Sequence, residues 1–107
     1  MAKRYFVYVI ELDSAVRQLN RFRNANPSMK ALTDCFYVGS SIRPPDERFD
    51  QHKKGYKSNR YARKFGLKLR PDIFEQYNPI PSRKDAEELE EYLASRLRKQ
   101  GYGVWQG

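Results

Sequence analysis

The first strong pattern along the chain is a near-continuous apolar run from Tyr5 to Leu12, rich in β-branched and aromatic side chains. Such residues fit a pleated surface, and a run with so little alternation predicts a central strand covered on both faces. Asp13 or Ser14 then caps a helix whose apolar positions are Val16, Leu19 and Phe22, and Asn26-Pro27 ends it. A second strand is predicted over Cys35 to Ser41, stopping before Pro44-Pro45. Proline suits the first turn of a helix, and Asp46 and Glu47 suit its positive end, so a helix follows from about Pro45 to Lys54. Ser58 opens a short helix through Lys64, with Gly66 as its stop. Leu67 to Tyr77 alternates enough for a third strand, edged at Pro71. After the rigid turn Asn78-Pro79-Ile80-Pro81, Ser82 and Asp85 imitate a capping box and open the longest helix, which ends before Gly101. The order predicts an α+β fold with a small three-stranded sheet flanked by helices.

At 107 residues the chain is read as one domain, 1–107, with room for a modest core and no second folded unit. Its formal net charge of +8 favours a polyanionic partner. Between Ser41 and Arg70 there are ten Lys or Arg residues against three acids, so nearly all the excess charge sits in one stretch. That stretch is either a solvated basic face or a nucleic-acid surface. Interleaved Tyr56, Tyr61 and Phe65 favour the second, because cations track phosphates while rings stack on bases. Phe65 is the expected core member of the three. Cys35 is the one cysteine, which excludes an intrachain disulfide and a cysteine-based zinc cluster. The N-terminal apolar run is too short to span a membrane and lacks a secretory cleavage pattern. The expected setting is intracellular: cytoplasmic, nucleoid-associated, or nuclear in a eukaryote.

The last helix holds the first chemical candidate. At about 100° per residue, with Ala86 at zero, Leu89, Leu93 and Leu97 fall at about −60°, −20° and +20°, and Glu90 at about +40°. Glu90 thus sits at the edge of the apolar stripe, while Glu87, Glu88 and Glu91 face water. A carboxylate aimed at a core edge needs a partner: a salt bridge to an arginine, or a bound cation. Arg48 and His52, four apart, project from one helix face, either as a solvated pair or as a guanidinium and an imidazole offered to a phosphate. Tyr8 and Tyr37 lie on strands expected to be neighbours, and a buried tyrosine is ordinarily a core residue with a bonded hydroxyl. His52 is the one histidine, so a divalent ion would rely on oxygen ligands, which suits Mg²⁺ or Mn²⁺.

Phe6-Val7-Tyr8, Tyr37-Val38-Gly39, Arg48-x-x-x-His52 and Ala86-x-x-Leu89-Glu90, in that order and spacing, resemble the GIY-YIG nuclease family from Tyr5 to about Leu97. The chain departs from the family pattern in three ways. Phe6 replaces the opening glycine, Ser40 and Ser41 stand where many members carry a lysine that Arg43 could replace, and Gln106 is the one counterpart of a late asparagine. The segment 13–34 is an insertion between the first two strands relative to the compact family pattern. The resemblance implies an antiparallel three-stranded sheet and a divalent-metal-dependent DNA endonuclease with one active site per protomer. It also implies catalytic roles for Tyr8, Tyr37, Arg48, His52 and Glu90, with Glu90 holding the metal. Tyr8 is the expected base and Tyr37 the orienting group, with the reverse assignment open. Gly39, Arg43, Tyr56, Lys57, Asn59, Arg60 and Arg63 are the candidates for substrate contact. Two rival functions share the scaffold: a catalytically inactive nucleic-acid-binding module, and an accessory subunit for an acidic protein partner. One site makes one nick, so a double-strand break calls for a homodimer or two visits, and a recruiting protein partner is the other route to sequence choice.

Overall fold

A computed structural model describes residues 3–107. Strand β1 (Phe6–Leu12) pairs antiparallel with β2 (Cys35–Ser41), in a register that sets Tyr8 opposite Gly39 and Ile10 opposite Tyr37. Side chains alternate across a strand, so Tyr8, Ile10, Tyr37 and Gly39 share one face while Val7, Val9, Phe36, Val38 and Ser40 share the other. Both faces are covered, as the unbroken apolar run requires, and Val7 to Ile10 are all buried. Helix α2 (Pro45–Lys54) lies over the tyrosine face, its His52 ring 5.9 Å from that of Tyr8 and 5.4 Å from that of Tyr37. Helix α5 (Arg83–Lys99) covers the opposite face, where Ala86, Leu93, Ala94 and Leu97 are buried.

The sheet has four strands and not three. Strand β4 (Gly103–Gln106) runs parallel to β2 and β3 (Gly66–Leu69) antiparallel to β1, giving the order β3-β1-β2-β4 and a mixed sheet in place of the antiparallel one expected. Four residues behind a helix are too few to show a period, and tertiary partners define this strand. The buried Asn26 side chain accepts from the Val104 N–H (2.8 Å) and donates to the Val104 carbonyl (3.0 Å), standing in for a neighbouring strand. Asn78 does the same for Val7 on the open edge of β1, at 2.9 and 2.8 Å. Each amide pairs with one backbone donor and one backbone acceptor at a strand edge.

Two other expectations are corrected. The strand expected over Leu67 to Tyr77 is only β3 (Gly66–Leu69), because Pro71 cannot donate to the ladder and opens a short helix, α4 (Pro71–Phe74), with a 3-10 turn at Glu75–Tyr77. The helix expected after Asp13 is a 3-10 turn (Ser14–Gln18) followed by α1 (Asn20–Ala25), with Leu19 extended between them. Val16, Leu19 and Phe22 recur every three residues, a spacing that drifts around an α-helix; the break lets Val16 and Phe22 both reach the core.

Other signals hold. Helix α2 ends at Gly55, whose φ of 84° is the left-handed cap only glycine adopts at little cost. Helix α3 (Arg60–Phe65) is capped one residue later than expected, by Asn59. One ring assignment is corrected: of Tyr56, Tyr61 and Phe65 it is Tyr61 that is the buried core member, while Phe65 is half-buried and only packs against the core. The Ser82 hydroxyl accepts from the Asp85 N–H at 3.1 Å and starts α5. No helix among the described residues is long and apolar enough to cross a membrane.

Candidate active site

Tyr8 lies flat across β2 because its cross-strand neighbour is glycine. A Cβ at Gly39 would sit 2.5 Å from the Tyr8 hydroxyl and 2.6 Å from its ring carbon, so any side chain there would displace the ring. The hydroxyl meets His52 Nε2 at 2.8 Å, and the Asn59 backbone N–H donates to His52 Nδ1 at 3.1 Å. A backbone N–H can only donate, so Nδ1 is unprotonated and Nε2 carries the hydrogen. His52 therefore donates to Tyr8 and cannot take its proton. Burial, aided by the Arg48 charge, lowers the His52 pKa to about 4 and keeps the ring neutral. The Tyr8 phenol is pushed well above its ordinary value by burial first and by Tyr37 next. Tyr37 is pushed up to about 12, by burial and then by Glu90.

The His52 shift has a consequence for stability. An unfolded histidine takes up its proton near pH 6.5 and this one only near 4, so between those values the unfolded chain binds more protons. Stability from neutral His52 is complete above about pH 6.5 and is lost as pH falls toward 4. In urea titrations, His52→Gln lacks this component: the wild-type protein loses on the order of 2 kcal/mol more than the variant between pH 7.5 and 4.5. Equal acid sensitivity in both would show that His52 is not held neutral.

Arg48 enters the site from the same helix. Its guanidinium donates to the Tyr56 carbonyl (3.1 Å), the Lys57 carbonyl (2.7 Å) and Gln51 Oε1 (3.2 Å), all of them neutral acceptors. Lys57 adopts a left-handed φ of 43°, a conformation uncommon outside glycine, in the loop whose carbonyls receive Arg48. Among the described residues no carboxylate pairs with Arg48, and its charge is held in place by neutral acceptors.

Glu90 comes from the opposite face of the sheet and is 7% exposed. The Ser40 hydroxyl donates to Oε1 and the Gln106 amide to Oε2, each at 2.9 Å. The salt-bridge alternative is absent among the described residues, where Glu90 has no cationic partner. Burial raises its pKa, while these two hydrogen bonds pull it down. No cluster of three or more His, Cys, Asp or Glu side chains with metal-binding geometry occurs among the described residues. Glu90 would be the one protein carboxylate to hold a divalent ion there, and a single hard oxygen ligand group completed by phosphate and water suits Mg²⁺ or Mn²⁺.

Tyr8, Tyr37, Gly39, Arg48 and Glu90 line a single cleft of about 480 Å³, with His52 behind Tyr8. Ser40 and Gln106, which orient Glu90, and Arg83 at the start of α5 line it too. Arg83 carried no sequence signal beyond its charge. Other substrate candidates lie elsewhere. Arg43 is exposed, 3.7 Å from Glu47, and Tyr56 and Lys57 project from the loop that holds Arg48. The Asn59 side chain caps α3, accepting from Tyr61 N–H at 2.8 Å, while Arg60 and Arg63 border a separate basic depression with Lys53 and Lys64.

The family model of the GIY-YIG catalytic domain matches residues 4–103. No curated protein and no solved structure matches the chain. The matched span takes in both tyrosine strands, the helix of Arg48 and His52, and the helix that delivers Glu90. By that near-complete match, the chain belongs to the GIY-YIG catalytic-domain family, a family of nucleases.

Proposed function

We propose that this protein is a divalent-metal-dependent DNA endonuclease that hydrolyses phosphodiester bonds by in-line attack of water, with one active site per protomer. The observation that carries this is a single cleft that holds an unpaired buried carboxylate, Glu90, and an unpaired guanidinium, Arg48. Each lacks the counter-charge that a phosphate and its cation would supply together. Arg48 binds a non-bridging phosphate oxygen and stabilises charge developing on it, pre-positioned by two carbonyls. Glu90, with the Ser40 hydroxyl and Gln106 amide orienting it, would hold the ion. That ion supplies Lewis-acid stabilisation of the phosphate and leaving oxygen when bound. Tyr8, lying between His52 and the cleft, is the better placed of the two phenols to take a proton from water. Tyr8 first releases its own phenolic proton to solvent, and His52 Nε2–H supports the phenolate that then accepts the proton of the attacking water. Tyr37 orients water or phosphate from the same wall.

End-labelled DNA and RNA oligonucleotides incubated with Mg²⁺, with Mn²⁺ and with chelator test the reaction class. Internal cuts in DNA that require the ion, leaving 3′-hydroxyl and 5′-phosphate ends, are expected. DNA bound but intact under every ion would select the inactive binding module. Arg48→Lys is expected to cut about 100-fold more slowly, because an ammonium cannot hold both loop carbonyls and still present a fork to phosphate. A rate within twofold of wild type would remove Arg48 from the chemistry.

A further inference from the structure

A second cavity, of about 590 Å³, lies between the loop after α1, the C-terminal half of α5 and β4. Met29 and Tyr102 give it apolar surface, and Lys30, Arg98 and Lys99 give it positive charge. Glu91 and Gln106 line both this cavity and the catalytic cleft, so the two spaces adjoin at those side chains. Three cations stand here against one carboxylate, the exposed Glu91.

Arg98 is the informative group. It is half-buried, and it donates through Nε to Asn26 Oδ1 (3.2 Å) and through Nη2 to the Val104 carbonyl (3.0 Å). Neither acceptor carries charge, and among the described residues Nη1 has no acceptor. Arg70 shows how this fold treats a structural arginine: it pairs with Glu11, Asp34 and Asp72 at 2.8, 3.4 and 3.0 Å. Arg98, like Arg48, is instead fixed by neutral oxygens at the wall of a cavity. A partly desolvated cation without a carboxylate is stabilised when an anion completes it.

We infer that this cavity is a nucleotide subsite, which takes the nucleotide next to the scissile phosphate. Its phosphate meets Arg98 with Lys30 or Lys99, and its base lies against Met29 and Tyr102. The inference rests on the phosphodiesterase reading above, because the shared wall of Glu91 and Gln106 leads from the cleft into the cavity. A base seated there is out of a duplex stack, so substrates with unpaired nucleotides beside the cut are favoured.

Met29 is one of two methionines, the other being Met1, so a ¹³C-methyl label reports on the cavity directly. Thymidine 5′-monophosphate is titrated into the full chain with chelator present, and labelled single-stranded DNA is bound under the same conditions. The Met29 methyl resonance is expected to shift saturably with the nucleotide. Ser95→Trp, which fills the cavity from α5, and Ser28→Trp, which fills it from the loop, are each expected to abolish the shift and weaken strand binding about tenfold. A Met29 resonance unmoved at millimolar nucleotide overturns the subsite. A shift accompanied by unchanged DNA affinity in both folded variants overturns the flanking-strand assignment and leaves a site for free nucleotide. Both readouts are made without cleavage, whereas the nuclease reading itself fails through the absence of metal-dependent cutting.

Discussion

Tyr8→Phe is expected to lower the single-turnover rate of DNA cleavage by about three orders of magnitude, within the range for loss of a positioned general base. The variant also leaves the buried His52 Nε2–H without its 2.8 Å acceptor, a loss of about 1–3 kcal/mol in stability, and it remains folded. The phenol and imidazole act as a unit, because Asn59 fixes the tautomer that donates to Tyr8. His52→Gln should therefore slow cleavage less than Tyr8→Phe, and the double variant should be no slower than Tyr8→Phe alone. Tyr8 is held as a neutral phenol in the free protein, since burial raises its pKa. The base form is a minor species near neutrality, so log rate should rise with pH through the neutral range with a slope near one in the wild type, and lose that rise in Tyr8→Phe. Tyr37→Phe should cost about tenfold if, as proposed, its hydroxyl orients water or phosphate and takes no proton. If Tyr37→Phe proves the slower variant and removes the pH dependence, the two phenols exchange roles.

Glu90→Gln is expected to abolish measurable cleavage, at least about a thousandfold, while leaving thermal stability unchanged or raised. The two halves of that expectation come from one geometry. Glu90 is buried with two neutral donors and no cation, so its ionised form is held against its desolvation and the neutral amide relieves that. Ser40 can turn its hydroxyl to accept from the new amide, which limits the disturbance. A structural ion pair would behave in the opposite way, losing several kcal/mol when one partner is neutralised. Calorimetric melting of Glu90→Gln beside wild type separates the cases, and a large fall in Tm would mark Glu90 as structural.

Much of this site could be read from one dimension because its parts obey local periods. The helical wheel set Glu90 at the margin of the Ala86, Leu93 and Leu97 stripe, where it is found buried. The four-residue spacing of Arg48 and His52 put both on one side of α2, and Ser82 marked the start of α5. What escaped depends on contacts between distant segments. Asn26 and Asn78 complete strand edges 78 and 71 positions away, and neither an asparagine nor the four residues of β4 carry a period. Ser40, read only as a replaced lysine, reaches Glu90 across 50 positions. Asn59 stands out in the sequence only by its basic surroundings, whereas its backbone N–H sets the His52 tautomer, a role independent of side-chain type. Arg43, Arg60 and Arg63 are distinguished in the sequence by charge alone, and charge does not say which side of a helix faces the cleft.

On the proposed function, one cleft cuts DNA with Glu90 as its ion-holding carboxylate. Conversion of supercoiled plasmid to open circle by wild-type protein and Glu90→Gln, each with Mg²⁺, with Mn²⁺ and with chelator, tests it most directly. Nicking by the wild type alone, only when the divalent ion is present, is the predicted result. Intact plasmid in every wild-type lane, or equal nicking by Glu90→Gln, would contradict it.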